Sequence, residues 1–182
     1  RNNRVIYIGG YYTGKNERLA MLKHTLKADF DIFGRHPLRG YMMSAVSTLN
    51  GRPSIYRVRS LSDSERESHY ARYSIGLNLH LSNPEKEIGR EIGNSRLYEL
   101  AYRGVAQVVD ASKASLVDMI FEPEKEILVY NSLSECVDQI RRLQSDEELR
   151  INIATNAYKR AITEYNYPNR LLDLFDWFKQ LL

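Results

Sequence analysis

At 182 residues, the chain has the length of one ordinary domain with room for a sizeable core. Its 26 basic and 23 acidic side chains leave a net charge of +3 spread along the sequence, which excludes the concentrated basic footprint of a nucleic-acid binder and suits a phosphorylated small ligand or weak contact with an anionic membrane surface. The single cysteine, Cys136, excludes an internal disulfide and a cysteine-rich zinc site, fits a reducing cytosol, and is expected to face the core from a helix.

No apolar run approaches the ~18 residues that span a bilayer, and no secretory signal precedes the first strand. The expected location is therefore the cytoplasm, free or peripheral to the inner face of the membrane. The chain begins at Arg1 without methionine and enters a strand almost at once, as a fragment excised from a longer protein would.

In chain order, Val5 to Ile8 reads as a buried strand ended by Gly9-Gly10. Asn16 to Lys27 reads as a helix with Leu19, Met21, Leu22 and Leu26 on its apolar face. Phe30 to Phe33 is a second strand, closed by Gly34. Residues 38–49 form a weaker helical candidate before the Asn50-Gly51 turn, and Ser54 to Val58 reads as a third strand. Ser62-Asp-Ser-Glu65 has the form of a capping box that opens a helix. Tyr73 to Leu79 is the next strand, with Ile75, Leu77 and Leu79 on one side. After a polar loop over 82–93 come a short helix from Ser95, a strand over 105–109, a helical turn from Leu116 to Phe121 and a last strand from Glu126 to Tyr130. From Leu133 the chain is almost wholly helical, with breaks near Ser145 and at Pro168. Residues 133–182 thus form the helical carboxyl-terminal part of a single domain over 1–182. Its apolar residues Leu171, Leu172, Leu174, Phe175, Trp177 and Phe178 are expected to complete the core, with a missing domain or a partner interface as alternatives.

Alternating strands and helices imply an α/β Rossmann-like three-layer sandwich with a mainly parallel sheet, since parallel strands require crossover connections. In such sheets ligands sit outside the carboxyl ends of the strands, near a switch point. Gly9-Gly10, Gly34-Arg35, Arg57 to Arg59, His80 and the 89–95 loop all follow strands and would gather on one edge.

The segment from Glu91 to Gly104 carries the most chemistry. Two acids flank a Gly93-Asn94-Ser95 turn that opens a helix, and such a turn holds phosphate through unpaired N–H groups and the helix dipole. Asn94 or Ser95 equally serves as a cap. Helical spacing puts Leu97, Leu100 and Ala101 on one face, and Arg96, Glu99 and Arg103 on another. Glu99 is then either an ion-pair partner of Arg96 or Arg103, or a bidentate acceptor for a ribose diol, since a carboxylate offers acceptors only. Gly10 admits a phosphate close to the backbone or forms a plain turn, without dinucleotide or Walker spacing. Lys15 reaches that phosphate or stays solvated. Arg57 suits a base or a phosphate, and His80 a phosphate or a sugar hydroxyl. His24, His36 and His69 show no metal-ligand spacing, so no metal site is expected.

These residues carry a family likeness. Gly93-Asn-Ser-Arg-Leu-Tyr-Glu99, Ala101 to Gly104, and Phe121-Glu-Pro-Glu-Lys-Glu126 resemble the carboxyl-terminal domain of GT-B glycosyltransferases, most closely a spore-maturation-protein-like group with a G-N-x-R-x-[FY]-E stretch. Glu124 stands where that group usually has glycine, and Tyr165 to Arg170 is similar to its tail. Glu91 and Glu99 fit the E-x7-E spacing of many retaining GT-B enzymes. The resemblance implies ribose binding by Glu99, backbone contacts to donor phosphate around Gly93, Asn94 and Ser95, and a place near the donor sugar for Glu91 as the catalytic candidate. Tyr11 stands where an arginine is often found after the first strand, which leaves Lys15 as the remnant of that basic pair and Arg96 or His80 as contributors. It further implies a nucleotide-diphosphate-sugar donor, no metal or other cofactor, a missing amino-terminal acceptor domain, and an acceptor that is a glycan, lipid or protein. The fragment alone would turn over little. The other reading is a non-catalytic Rossmann-like module that binds nucleotide or a protein.

Overall fold

The computed structural model describes residues 1–9, 13–34, 42, 45–46, 49–50, 61–79, 95–110 and 120–181. Its strands are β1 (Asn2–Ile8), β2 (Phe30–Phe33), β3 (Tyr73–Asn78), β4 (Ala106–Asp110) and β5 (Leu128–Tyr130). Its helices are α1 (Thr13–Leu26), α2 (Asp63–Arg72), α3 (Ser95–Tyr102), α4 (Leu133–Ser145), α5 (Glu147–Glu164) and α6 (Tyr167–Leu181), with a 3-10 turn over Lys27–Asp29. The described strands form one sheet in the order β2-β1-β3-β4-β5, and every pairing is parallel. This is the expected α/β architecture. The expected strand over 54–58 lies outside the described residues, as do most of the 38–49 helix and of the 116–121 turn.

Strand alternation divides the core. Val5, Tyr7, Ile75, Leu77, Val108, Leu128 and Tyr130 face one side, where Leu19 and Leu22 of α1 meet Cys136, Ile140 and Leu143 of α4. On the other side, Leu100 of α3 and Tyr70 of α2 pack with Ile6, and Leu97 and Ala101 pack with Val109 and with Ala157 and Ala161 of α5. Both faces are covered, so the strands read as continuous apolar runs, as parallel strands do.

Local signals set the helix ends. Ser62 caps α2 through Glu65 N, and the Glu65 carboxylate returns to the Ser62 N–H at 2.9 Å. Helix α3 ends in a Schellman turn: Val105 N–H reaches Leu100 C=O at 3.0 Å, and Gly104 N–H reaches Ala101 C=O at 2.9 Å. Gly104 sits at φ +57°, the left-handed conformation that this motif requires and glycine adopts freely.

Two expectations about the tail need correction. The break lies before Pro168: Asn166 Oδ1 accepts from Asn169 N–H at 2.9 Å, and α6 starts at Tyr167. Pro168 therefore falls in the first turn, where a missing N–H costs no intrahelical bond. The apolar side chains of α6 do not complete the core, since Leu174 is 46% exposed and Leu172 62%. The sheet face behind β4 is already filled by α3 and α5.

Candidate functional site

The chain leaves β1 for β2 on one side and returns to β3 on the other. The space beyond the carboxyl ends of β1 and β3 is thus the switch point of the described sheet. Helix α3 opens there. Its register is fixed from below by buried Leu97, Leu100 and Ala101, and by the buried Gln107 side chain, whose Nε2 donates to Leu97 C=O at 2.8 Å. That burial turns Arg96, Glu99 and Arg103 to the polar side, as the helical spacing requires.

Arg96 reaches the end of β1. Its guanidinium carbon lies 4.8 Å from the centre of the Tyr7 ring, a cation–π distance. Tyr7 belongs to the core on the α1 face, whereas α3 packs on the opposite face through Leu100. The side chain therefore crosses the strand end at Gly9. A Cβ at Gly9 would overlap Arg96 Nη2 and stand 2.7 Å from Tyr7 Oη, so the missing side chain is what leaves room for the guanidinium. Arg96 Nη1 is buried and makes no hydrogen bond.

Glu99 takes its partners from α2. Tyr70 Oη donates to Glu99 Oε2 at 3.4 Å, and Arg66 Nη1 stands 4.0 Å from Oε1. The ion pair expected with Arg96 or Arg103 does not form. Arg96 is drawn to Tyr7, while Arg103 donates through Nε to Glu67 at 2.9 Å and through Nη1 only to the Glu99 backbone carbonyl at 3.0 Å. The Glu99 side chain keeps 30% of its surface exposed, which leaves carboxylate oxygen available to a ligand. Burial pushes the Tyr70 hydroxyl up to about 12, with Arg96 opposing and Glu99 adding to the shift. Tyr70 thus stays a donor to Glu99 throughout the physiological range. Arg103 over the Tyr70 ring, at 5.1 Å, completes this group.

Of the other predicted site residues, Ser95 is the exposed first residue of α3, and Lys15 lies in the first turn of α1. Gly10, Arg57, His80, Glu91, Gly93 and Asn94 lie outside the described residues. The structure therefore brings the first turn of α3 to the end of β1, and Glu99 to α2. Sequence reasoning missed Tyr7, Gly9, Arg66 and Tyr70 as neighbours of the site. The available signal was the i, i+4 spacing of Arg66 and Tyr70 on a helix already delimited by its capping box. It also missed Asp110, which ends β4 on the same sheet edge and accepts from Arg18 Nη1 of α1 at 2.6 Å.

Part of the motif pattern proves to be packing. Tyr98, Phe121 and Tyr165 meet as one aromatic cluster, with ring centres 5.5 to 6.3 Å apart, and Arg170 lies 4.9 Å over the Tyr165 ring. The Glu126 carboxylate accepts from Glu122 N–H at 2.6 Å and from Arg160 at 2.9 Å, which closes the turn between them.

A family model described as glycosyl transferase-like matches residues 16–176. The chain belongs to that family. Its fold is that of the carboxyl-terminal domain of group 1 GT-B glycosyltransferases. It resembles the C-terminal domain of the group 1 family protein LpcC from Francisella tularensis, with TM-score 0.61 and 18% identity over 91% of this chain and 88% of that one. It also resembles the C-terminal CMP-Kdo-binding domain of WaaA from Acinetobacter baumannii, with TM-score 0.59 and 15% identity over 88% and 90%. T4 phage BGT, solved with UDP-glucose, gives TM-score 0.65 and 12% identity over 96% of this chain but 47% of that one. The domain thus matches isolated C-terminal domains nearly end to end and spans about half of the phage enzyme. Comparison with curated protein sequences finds no significant match.

Proposed function

We propose that this domain binds the donor in a glycosyltransferase that moves a sugar from a nucleotide-diphosphate carrier to an acceptor held by a second, amino-terminal domain. The observation that carries this is Glu99. A partly exposed carboxylate is presented one turn inside a helix that opens at the sheet's switch point, and α2 orients it through Tyr70 and Arg66. In this reading Glu99 accepts from the ribose hydroxyls, and backbone around Gly93, Asn94 and Ser95 holds phosphate. The same reading assigns Gly10, Lys15, Arg57 and His80 to donor binding and makes Glu91 the catalytic candidate. Charge developing on the leaving diphosphate is met by the α3 dipole, backbone amides and basic side chains, which are preorganised donors. No metal is needed for this step.

The membership in a glycosyl transferase-like family over residues 16–176 supports transfer chemistry. The 47% coverage of the phage enzyme supports a second domain. The motif over Gly93 to Glu99 favours the spore-maturation-protein-like group within the family. Among the described residues no helix is long and apolar enough to cross a membrane; a cytoplasmic or membrane-peripheral place rests on the cysteine and charge pattern.

Titration calorimetry of the domain with UDP, GDP, ADP and CMP tests the reading. One of them should bind, and Glu99→Ala should weaken it by about tenfold or more, the worth of a charge-assisted hydrogen-bond pair. Glu148→Ala, an exposed change at the start of α5, should leave it unaltered. Absence of binding to every nucleotide would favour a non-catalytic protein-binding module.

A further inference from the structure

We infer that Arg103 is a positioning residue for Glu99, holding the ribose-binding carboxylate through its backbone and its side chain at once. The ribose in that statement rests on the donor-site reading above. The ordering of Glu99 does not.

Glu99 needs such a support. Its side-chain contacts are long, 3.4 Å from Tyr70 Oη to Oε2 and 4.0 Å from Arg66 Nη1 to Oε1, both beyond the ~3.2 Å reach of an ordinary hydrogen bond. A partly exposed glutamate held by these contacts alone exchanges rotamers, and ordering it on a ligand costs affinity.

Arg103 directly follows α3 and lies one helical turn beyond Glu99. Its own N–H turns to Leu100 C=O at 3.2 Å, so the Glu99 carbonyl accepts instead from the Arg103 side chain, Nη1 at 3.0 Å. The other two nitrogens, Nε at 2.9 Å and Nη2, take both oxygens of Glu67 on α2. The guanidinium carbon lies 5.1 Å from the centre of the Tyr70 ring, and Tyr70 is the donor to Glu99 Oε2. One side chain thus ties together the Glu99 backbone, α2 and the Tyr70 ring.

The arrangement uses what arginine alone offers. A planar fork makes the bidentate pair while its face stacks on an aromatic ring, and a lysine cannot do both. The hydrogen bond from Arg103 also holds the Glu67 carboxyl below its usual range, so the clamp stays charged through neutral pH. Glu67 is more than half exposed, and a pair so exposed adds little stability. What the clamp fixes is the separation between Tyr70 on α2 and Glu99 on α3, which sets the rotamer of the carboxylate.

Three-bond NMR couplings of the full chain read the χ1 rotamer of Glu99 without any ligand. Wild type should hold one rotamer, and Arg103→Met should average among several. Calorimetry of the same chains with UDP, GDP and ADP, each against its 2′,3′-dideoxy analogue, reads the consequence. The dideoxy form offers Glu99 no hydroxyl, so the ratio of affinities isolates the cost of ordering the carboxylate. A wild-type ribose preference of about tenfold or more should shrink by about 2- to 10-fold in Arg103→Met, the worth of immobilising one side chain. Arg103→Lys keeps the charge without the fork and should restore neither readout in full. Glu67→Gln, an exposed change, loosens the clamp with Arg103 in place; it should move both readouts the same way and carries the test if Arg103→Met fails to fold. A Glu99 rotamer unchanged in both Arg103→Met and Glu67→Gln overturns the assignment, as does a wild-type ribose preference that survives in both at full strength. Wild type that binds each nucleotide no better than its dideoxy form would instead overturn the donor reading, while averaged couplings in Arg103→Met would keep Arg103 as the residue that orders Glu99.

Discussion

Glu124 occupies a conformation that suits another residue. Its φ is +63°, left-handed backbone that costs an L side chain about 1 kcal/mol and glycine almost nothing. Its carboxylate meets Arg142 at 2.6 Å, but both side chains are about half exposed, and such pairs contribute ~0–1 kcal/mol. Glu124→Gly should therefore raise stability by up to about 1 kcal/mol, seen as a higher midpoint in urea at unchanged slope. A lower midpoint would mean that the Arg142 pair outweighs the strain. The family resemblance already implied glycine here, yet a φ angle cannot be read from one residue type. The same limit applied at Arg96 and Glu99. Their shared helical face was legible from spacing, but their partners were not. Tyr7 and Tyr70 come from distant segments, and only the packed structure decides which charge meets which ring.

Elements were legible where a local device ended them. Ser62 with Glu65 and Gly104 with Val105 mark α2 and α3 because the side chain or glycine that satisfies the orphan backbone groups is itself in the sequence. Gly104→Ala tests that argument: the left-handed position at φ +57° predicts a loss of about 1 kcal/mol in chemical unfolding. A neutral effect would show that packing of Val105 on Leu100 alone sets the helix end. Pro168 misled for a related reason, since proline both ends helices and begins them, and only the Asn166 cap shows which applies. The face of α6 was misread because helical spacing identifies an apolar stripe without naming what covers it.

At the scale of the molecule, burial of weak acids sets its response to alkali. Burial pushes the Tyr70 and Tyr73 hydroxyls from about 10 up to about 12, Asp31 adding at Tyr73. The Cys136 thiol rises from about 9 to about 12, again chiefly through burial. Each group holds its proton more tightly folded than unfolded, so its contribution is complete below the unfolded value and is lost as pH rises through the folded one. Stability should accordingly fall between about pH 9 and 12, with Cys136 titrating only as the chain unfolds. Thermal midpoints measured across that range, with thiolate absorbance followed in parallel, check the sign; a stability that rises in that window would contradict it. The whole-molecule account turns on Glu99 as a ribose acceptor, and discrimination between a nucleoside diphosphate and its 2′,3′-dideoxy analogue measures that directly. Wild type should prefer the ribose form by about tenfold or more, and Glu99→Ala should bind both forms equally. Equal binding of the two by wild type, or a preference that survives Glu99→Ala, would contradict the account.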